Sequence, residues 1–495
     1  MSIRNVFRGK RFIGGFIILV LIVATYNAYK PLPEGLNLSA EPRNVSAPEF
    51  LADVSFTLAE GKGEGERNVQ QTIFDAIMQM IANAEQLIVL DMFLFNDFLG
   101  IESEASVHRG LSSELTEALI AQQRKYPTMH IQVISDPLNT LYGGAVSKHF
   151  AALEENGIHV SLTDLTELRD SNPLYSGMWR LLIKPFGNST NGWLPNPFGE
   201  GRVSLRSYLA LLNFKANHRK LLIADQQGQL TALVTSANPH DGSSAHGNVA
   251  LKFGGQAAWD LLASEQAVLA FSDVNAHAQL NRFLASSGLQ RKAVANEQMH
   301  DKPAQLQILT ERAVEQALLA LIEHARVGET LSMAVFYLSD RQVVNALKRA
   351  AKRGVDVRVL LDPNKDAFGR EKNGVPNRPV AHELVQAGVA VRWCNTQGEQ
   401  CHAKWVMHEG SEVSMLLGST NFTRRNMHNL NLETSVLLTG AANEPALEAG
   451  RAWFNRQWQN TETHRYSVDY AVYADASVWS AMLYRWMEWS GLSTF

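Results

Sequence analysis

The chain runs through one order of elements twice, and that repetition constrains its fold more than any other feature. Ile73, Phe74, Ile77, Met78 and Ile81 fall at helical spacing and lead into the apolar stretch Leu87 to Phe95, which ends at Asp97. Val314, Leu318, Leu321, Ile322 and Ala325 repeat the spacing and lead into Leu331 to Leu338, ending at Asp340. A helix around Glu114 to Gln123 and a strand from Ile131 to Pro137 follow in the first copy. Val343 to Lys352 and Val357 to Pro363 match them in the second, and both strands leave through Asp-Pro, a natural exit. Phe150 to Asn156 before Gly157, and His382 to Ala387 before Gly388, read as helices closed by a glycine in the left-handed conformation. Helices alternating with strands predict an α/β sheet covered by helices on both faces, and the duplication predicts two such units. A chain of 495 residues, 45% apolar and 19% charged, can bury a core in each.

The copies are not in strict register. Asp136 and Asp362 are 226 positions apart, whereas His218 and His402 are 184 apart, so the first copy holds 42 additional residues between these landmarks. They fall at about 170–212 and include Trp179, Ile183, Phe186, Trp193, Leu194 and Phe198 among Gly and Asn. A lid with its own small core and an apolar entrance for a lipid both fit, since Trp and Phe favour the bilayer interface. Trp479, Leu483, Trp486 and Trp489 also lie at helical spacing, which reads more readily as a docked core helix than as one lying on a membrane.

No charge occurs from Phe12 to Tyr29, and Arg4, Arg8, Lys10 and Arg11 precede this stretch. A spanning helix needs roughly 17 to 25 apolar residues and a cytoplasmic positive flank, so the segment reads as an anchor that leaves the bulk of the chain outside. A cleaved signal peptide is the competing reading, against which Tyr26 and Ala28 form a poor small-x-small site. The expected organisation is a flank and transmembrane anchor (1–30), a linker (31–65), a first unit (66–290, with the insertion), a second unit (300–475) and an aromatic C-terminal helix (476–495). Cys394 and Cys401, the only cysteines, can pair in an oxidising compartment or remain two buried thiols. No second Cys/His pair accompanies them at zinc-ligand spacing. The formal charge of -4 gives no global basic field for a nucleic-acid backbone.

The duplication extends to a polar signature. Asn217-His218-Arg219-Lys220 is followed by Asp225 and, twenty residues after His218, by Asn238. His402-Ala403-Lys404 is followed by Glu409 and, nineteen residues after His402, by Asn421. Positions two apart on a strand face the same way, so each His and Lys can reach one pocket. Lys and Asn donate to non-bridging phosphate oxygens, and imidazole titrates near neutrality. One set makes half a site. Two sets facing each other give one phosphate a nucleophile and a leaving-group acid on opposite sides.

These residues resemble the HKD signature, HxKx4D followed by GSxN or a variant, of the phospholipase D superfamily, and the resemblance covers nearly everything after the linker. It implies two duplicated α/β sandwich domains with pseudo-twofold symmetry and a metal-independent double displacement through a phosphohistidine. By position, His218 and His402 become the catalytic pair. Lys220, Lys404, Asn238 and Asn421 become the phosphate clamp, and Asp225 and Glu409 structural acids, Glu409 departing from the usual Asp by one methylene. Ten residues beyond Asn421 lies Asn431, then Glu433; ten beyond Asn238 lies Asn248, then Ala250. The resemblance implies that Glu433 orients His218 across the interface, as the acid of a triad does, making His218 the nucleophile, while His402 lacks such a partner. The alternative is that Glu433 pairs with Arg424 or Arg425 at the surface.

His240, His246, His408 and His428 are out of register with the repeat and read as surface histidines. Arg424 and Arg425 either steer an anionic head group or sit on a solvated turn. Among the activities the resemblance implies, phospholipid head-group hydrolysis or transfer, as in phospholipase D and cardiolipin synthase, is favoured over a nuclease by the anchor, the acidic balance and the aromatic insertion. Intact His, Lys and Asn in both copies argue against a noncatalytic relative. The reading implies no metal or organic cofactor, a phospholipid and a membrane as partners, no nucleic acid, and one chain sufficient for activity. It places the chain in the cytoplasmic membrane, with the catalytic body on the external side.

Overall fold

Runs such as Leu87–Met92 and Val413–Gly418, in which every residue is buried, have the pattern of central strands covered on both faces. They belong to two sheets of one design. The computed structural model describes residues 3–58, 67–100, 108–289, 303–367, 370–493 and 495; the expected unit limits at 66, 290 and 300 lie outside the described residues. In the first sheet β1 (Glu49–Leu58), β2 (Leu87–Met92), β3 (His130–Ser135), β4 (His159–Leu162), β5 (Lys220–Gln226), β6 (Gln229–Thr235) and β7 (Asn248–Gly254) lie in the order β1-β7-β6-β5-β2-β3-β4. In the second, β8 (Gln305–Thr310), β9 (Thr330–Val335), β10 (Asp356–Leu361), β11 (Ala390–Cys394), β12 (Lys404–Glu409), β13 (Val413–Gly418) and β14 (Thr434–Gly440) lie in the order β8-β14-β13-β12-β9-β10-β11. The orders coincide when the first set of labels is advanced by seven, so the repeat in the sequence is a repeat of topology. β2, β3 and β4 run parallel and β5 turns antiparallel against β2; β9 to β12 do the same.

Helices Ile73–Asn83, Leu111–Lys125 and Lys148–Glu155 cover the outer face of the first sheet, and Arg312–His324, Arg341–Lys352 and Asn377–Gln386 that of the second. Gly157 and Gly388, with φ of 80° and 87°, make the left-handed turns that close two of them. The inner faces share one core, to which Ile223 and Val234 contribute from one sheet and Trp405 and Leu417 from the other. Short strands also cross over. Arg43–Asn44 pairs with β8, and His464–Arg465 pairs with β1, so each sheet is extended by chain from beyond its own repeat.

The first helix, α1 (Ile3–Tyr29), contains Phe12–Tyr29, 18 residues of mean hydropathy 2.0, long and apolar enough to cross a membrane. Within 170–212, α2 (Pro173–Leu182) packs along it. A Cβ on Gly177 would lie 3.1 Å from both the Ala24 Cβ and the Val20 carbonyl oxygen, so a glycine here lets the two helices approach closely. A hairpin of Leu194–Pro195 with Arg202–Val203 and the helix Leu205–Leu211 complete this segment, and its Leu174, Met178, Leu182, Phe186 and Trp193 are exposed.

The last helix, α3 (Val478–Ser490), corrects the sequence reading. It docks through Tyr484 and Glu488, while Trp479, Trp486 and Trp489, whose spacing predicts the buried face, are 79%, 51% and 78% exposed. Cys394 and Cys401 form a disulfide that ties the end of β11 to the residue before His402.

Candidate active site

Each signature histidine stands two residues before a central strand, β5 or β12, and its backbone is pinned from the other half of the chain. The His218 amide donates to the Leu432 carbonyl at 2.9 Å, and the His402 amide to the Gly247 carbonyl at 2.7 Å. The acids of the two Asp-Pro exits complete this anchoring. One oxygen of Asp136 and of Asp362 caps the turn after its own strand. The other accepts the amide that precedes the histidine, Asn217 N at 2.7 Å and Cys401 N at 2.8 Å. Phe93 and Phe336 lie against the two imidazoles, with ring centroids 4.9 and 5.0 Å away.

The ring partners break the symmetry. His218 Nδ1 lies 2.9 and 3.1 Å from the two oxygens of Glu433, a completely buried carboxylate that also accepts from Ser419 Oγ and Asn426 Nδ2. Glu433 is therefore not a surface partner of Arg424 or Arg425. His402 Nδ1 lies 3.1 Å from Asn248 Oδ1, which also accepts from Ser236 Oγ at 2.9 Å. This corrects the matching of the loops: Asn248, not Ala250, is the counterpart of Glu433, because the loop after Asn238 is two residues shorter than the loop after Asn421. His402 has an orienting partner, but a neutral one. In both rings an oxygen at Nδ1 holds the proton there and leaves Nε2 for chemistry.

His218, His402, Asn238 and Asn421 line a single cavity of about 570 Å³. Lys220 and Lys404 are completely buried beside them, each donating to the carbonyl of its own histidine at 2.7 and 2.6 Å and standing 5.1 and 5.2 Å from the ring centroids of Phe93 and Phe336. Burial pulls Lys220 down to about 7 and Lys404 well below its ordinary value. It also pulls His218 down to about 4, against the opposing effect of Glu433. His402 falls well below 6.5 through burial, with Lys404 and His246 adding repulsion. Burial alone would raise Glu433, but His218, Lys220 and Ser419 outweigh it and keep the carboxylate ionised. Burial holds the two lysines and His402 short of protons although Glu433 is ionised nearby, and a phosphodiester between the two halves would favour their protonated forms.

The remaining predicted residues are placed as follows. Asp225 Oδ1 accepts the amides of Glu85, Gln86 and Leu87 at the start of β2, a backbone staple at the end of β5 away from His218. Glu409 pairs with Arg451 at the corresponding end of β12. His240 and His246 are not surface histidines: both are buried and line the cavity, the His246 ring centroid 5.8 Å from that of His402. His408 pairs with Glu329, and His428 lies 2.8 Å from Asp340 and 3.2 Å from Glu315, outside the cavity. That trio is the one group among the described residues with three metal-ligating side chains within 4.8 Å. Arg425 lines the cavity and Arg424 donates to the Glu488 carbonyl of α3 at 2.9 Å, so neither sits on a solvated turn.

Sequence spacing missed the residues behind the site. Arg219, completely buried next to His218, binds Glu265 and Glu311 at 2.8 Å each, and Glu311 also accepts the Glu433 amide at 3.2 Å. The Asp-Pro repeat was the visible sign of Asp136 and Asp362; nothing local marks Glu265 or Glu311.

The family model described as cardiolipin synthase, phospholipase D-like domain, matches residues 318–458. Residues 318–458 are thus similar to a phospholipase D-like domain. Cardiolipin synthase A of Cronobacter sakazakii is 32% identical over 131 residues, which is 26% of this chain and 25% of that protein. Cardiolipin synthase A of Proteus mirabilis is 31% identical over 128 residues, 26% and 24% of the two chains. The chain therefore matches about a quarter of the length of these curated relatives. The phospholipase D fold itself extends over nearly the whole chain: the crystal structure of phosphatidylserine synthase from Haemophilus influenzae superposes with a TM-score of 0.55 at 11% identity, covering 93% of this chain and 97% of that one.

Proposed function

We propose that the protein is a phospholipase D-type enzyme that transfers or hydrolyses phospholipid head groups, closest in activity to cardiolipin synthase, through a phosphohistidine on His218. The observation that carries this reading is one cavity faced by two imidazoles, each tethered from the opposite half, one by a carboxylate and one by an amide. With its Nδ1 proton held by Glu433, His218 offers the Nε2 lone pair to phosphorus. As the N–P bond forms, the bond to the leaving alcohol breaks and His402, protonated on both nitrogens once the anionic diester is bound, gives that oxygen its Nε2 proton and returns to the neutral ring. A phosphoimidazole that keeps its Nδ1 proton is cationic, and Glu433 compensates that charge. Asn248 offers no charge, which keeps His402 the stronger acid. His402 then takes the proton of an incoming alcohol or water, whose oxygen attacks phosphorus and frees His218. Lys220, Lys404, Asn238 and Asn421 are assigned the non-bridging oxygens, and Arg425 the head group.

The cardiolipin synthase match supports a lipid diester over a nucleic acid, and the span in α1 supports a substrate in the membrane. We assign the catalytic body to the external side of the cytoplasmic membrane, with a single chain sufficient for activity. The basic flank of the span and the disulfide, a bond that persists in oxidising compartments, support that side. Offering the purified protein phosphatidylglycerol and a short oligonucleotide in parallel, with products read by mass spectrometry, tests the substrate class. Cardiolipin or phosphatidic acid supports the proposal and separates transfer from hydrolysis; a cut oligonucleotide beside untouched lipid overturns it.

A further inference from the structure

We propose that α2 and α3 form a bilayer-docking face beside the span, which seats the catalytic body on the membrane crossed by α1 and holds the mouth of the cavity at head-group level. The inference needs α1 to span but does not depend on which phosphodiester the site cleaves.

The end of α1 is clamped to the body. The Asp170 amide donates to the Asn27 carbonyl at 3.0 Å, Arg169 Nε to the Lys30 carbonyl at 2.8 Å, and Lys30 Nζ to the Thr166 carbonyl at 2.8 Å. The body therefore has a set orientation relative to the span. Gly177 of α2 meets α1 at Val20 and Ala24, and at 1.5 Å per residue these lie roughly 7 to 14 Å inside Tyr29. With α1 across the membrane, α2 reaches below the head groups. Its Leu174, Met178 and Leu182, four residues apart and 62%, 45% and 48% exposed, then face acyl chains rather than water.

α3 reaches the same level. Gly491, which follows it, packs on the Ser171 carbonyl and the Asn172 amide, next to the Asp170 that is bonded to Asn27. The end of α3 thus stands level with the end of the span, where Trp side chains prefer to lie. Its inner face is already committed: the Tyr484 hydroxyl donates to Glu383 at 2.6 Å, and Glu488 accepts the Arg424 amide at 3.2 Å. Trp479, Trp486 and Trp489 are left on the outer face, three exposed indoles at helical spacing rather than one scattered residue. Continuity with the span selects the bilayer as its occupant over a second protein. Phe198 from the insertion and Phe495 beyond α3 line the cavity, which joins the docking face to the site.

The test uses full-length protein in phosphatidylglycerol–phosphatidylcholine proteoliposomes, with phosphatidylcholine brominated near the head group as a quencher of Trp emission. Wild type is compared with the variant Trp479→Gln/Trp486→Gln/Trp489→Gln, and an unchanged melting curve confirms that the variant folds. The face predicts strong quenching in wild type, reduced in the variant to what Trp179 and Trp193 of the insertion contribute. Turnover of bilayer phosphatidylglycerol should fall about tenfold, and turnover of a short-chain, water-soluble analogue should stay within about twofold. Unquenched wild type, or equal quenching in both proteins, overturns the proposal. Quenching reads contact without turnover, so a failure of the phospholipid assignment leaves it intact: neither protein then turns over lipid, yet the quenching difference persists.

Discussion

Replacing Glu433 by Gln keeps the volume of the side chain and removes its charge, which makes it the sharpest test of the unequal histidines. Glu433 is completely buried, with its nearer oxygen 2.9 Å from His218 Nδ1. At an effective dielectric constant of about 20, unit charges at that separation attract by about 6 kcal/mol. Little of this is expressed at rest, because burial keeps the His218 pKa near about 4 and the ring neutral. It is expressed when phosphorylation at Nε2 makes the ring cationic. A Gln amide recovers part of the attraction through its dipole, so a loss of about 3 kcal/mol is expected, roughly a hundredfold in the rate of the first step. Gln also has one acceptor oxygen for three donors, His218, Ser419 and Asn426. Rapid acid quench of a single turnover, followed by peptide mapping, reads both rate and position. The adduct should form about a hundred times more slowly in Glu433→Gln and map to the peptide carrying His218. An adduct on His402 in wild type, or full activity in the variant, refutes the reasoning.

Activity should survive EDTA, since imidazoles and fixed donors do the work of a metal; loss with chelator, restored by a divalent ion, would show otherwise. The disulfide closes a loop with a sequence separation of 7, so Cys394→Ser should cost about 2 kcal/mol in urea unfolding, and quantitative alkylation of both thiols in protein from its native compartment would remove the basis for that. Burial alone would lower His428, but its bonds to Asp340 and Glu315 raise it to about 9. A pKa above the unfolded value of about 6.5 adds stability that is fully present below pH 6.5 and lost as pH rises through about 9, so the melting temperature should fall across that window in wild type and much less in His428→Gln; parallel curves would exclude the linkage.

The elements and the signature were legible because both rest on short-range periodicity. A completely buried run such as Leu87–Met92 reads as a strand whatever covers it, and His218 with Lys220 shares one side of an extended chain by geometry alone. The Trp stripe of α3 was legible as a stripe and misread as a core face, because periodicity identifies which residues share a face and not what that face meets. His240 and His246 fail the repeat, yet they lie in the cavity, since burial there follows from how the halves meet and not from register. Arg219, Glu265 and Glu311 come together from β5's approach, a helix of the first half and the end of β8, which no local pattern records.

The difference between Glu433 and Asn248 is tied to the loops that carry them. From Ser419 to Glu433 the chain includes the short helix Arg424–Met427, whose Asn426 donates to the carboxylate. From Ser236 to Asn248 it is two residues shorter and turns through Asp241–Ser243 instead. A buried carboxylate needs donors on both oxygens, and the longer loop supplies the extra one. The shorter loop presents an acceptor: Asn248 Nδ2 donates to the His246 carbonyl at 3.1 Å. An acid at 248 would set an oxygen against that carbonyl, whereas the amide satisfies it and still offers an oxygen to His402. Loop length and side-chain chemistry therefore change together, and a pseudo-symmetric pair of tethers becomes one that carries charge and one that does not.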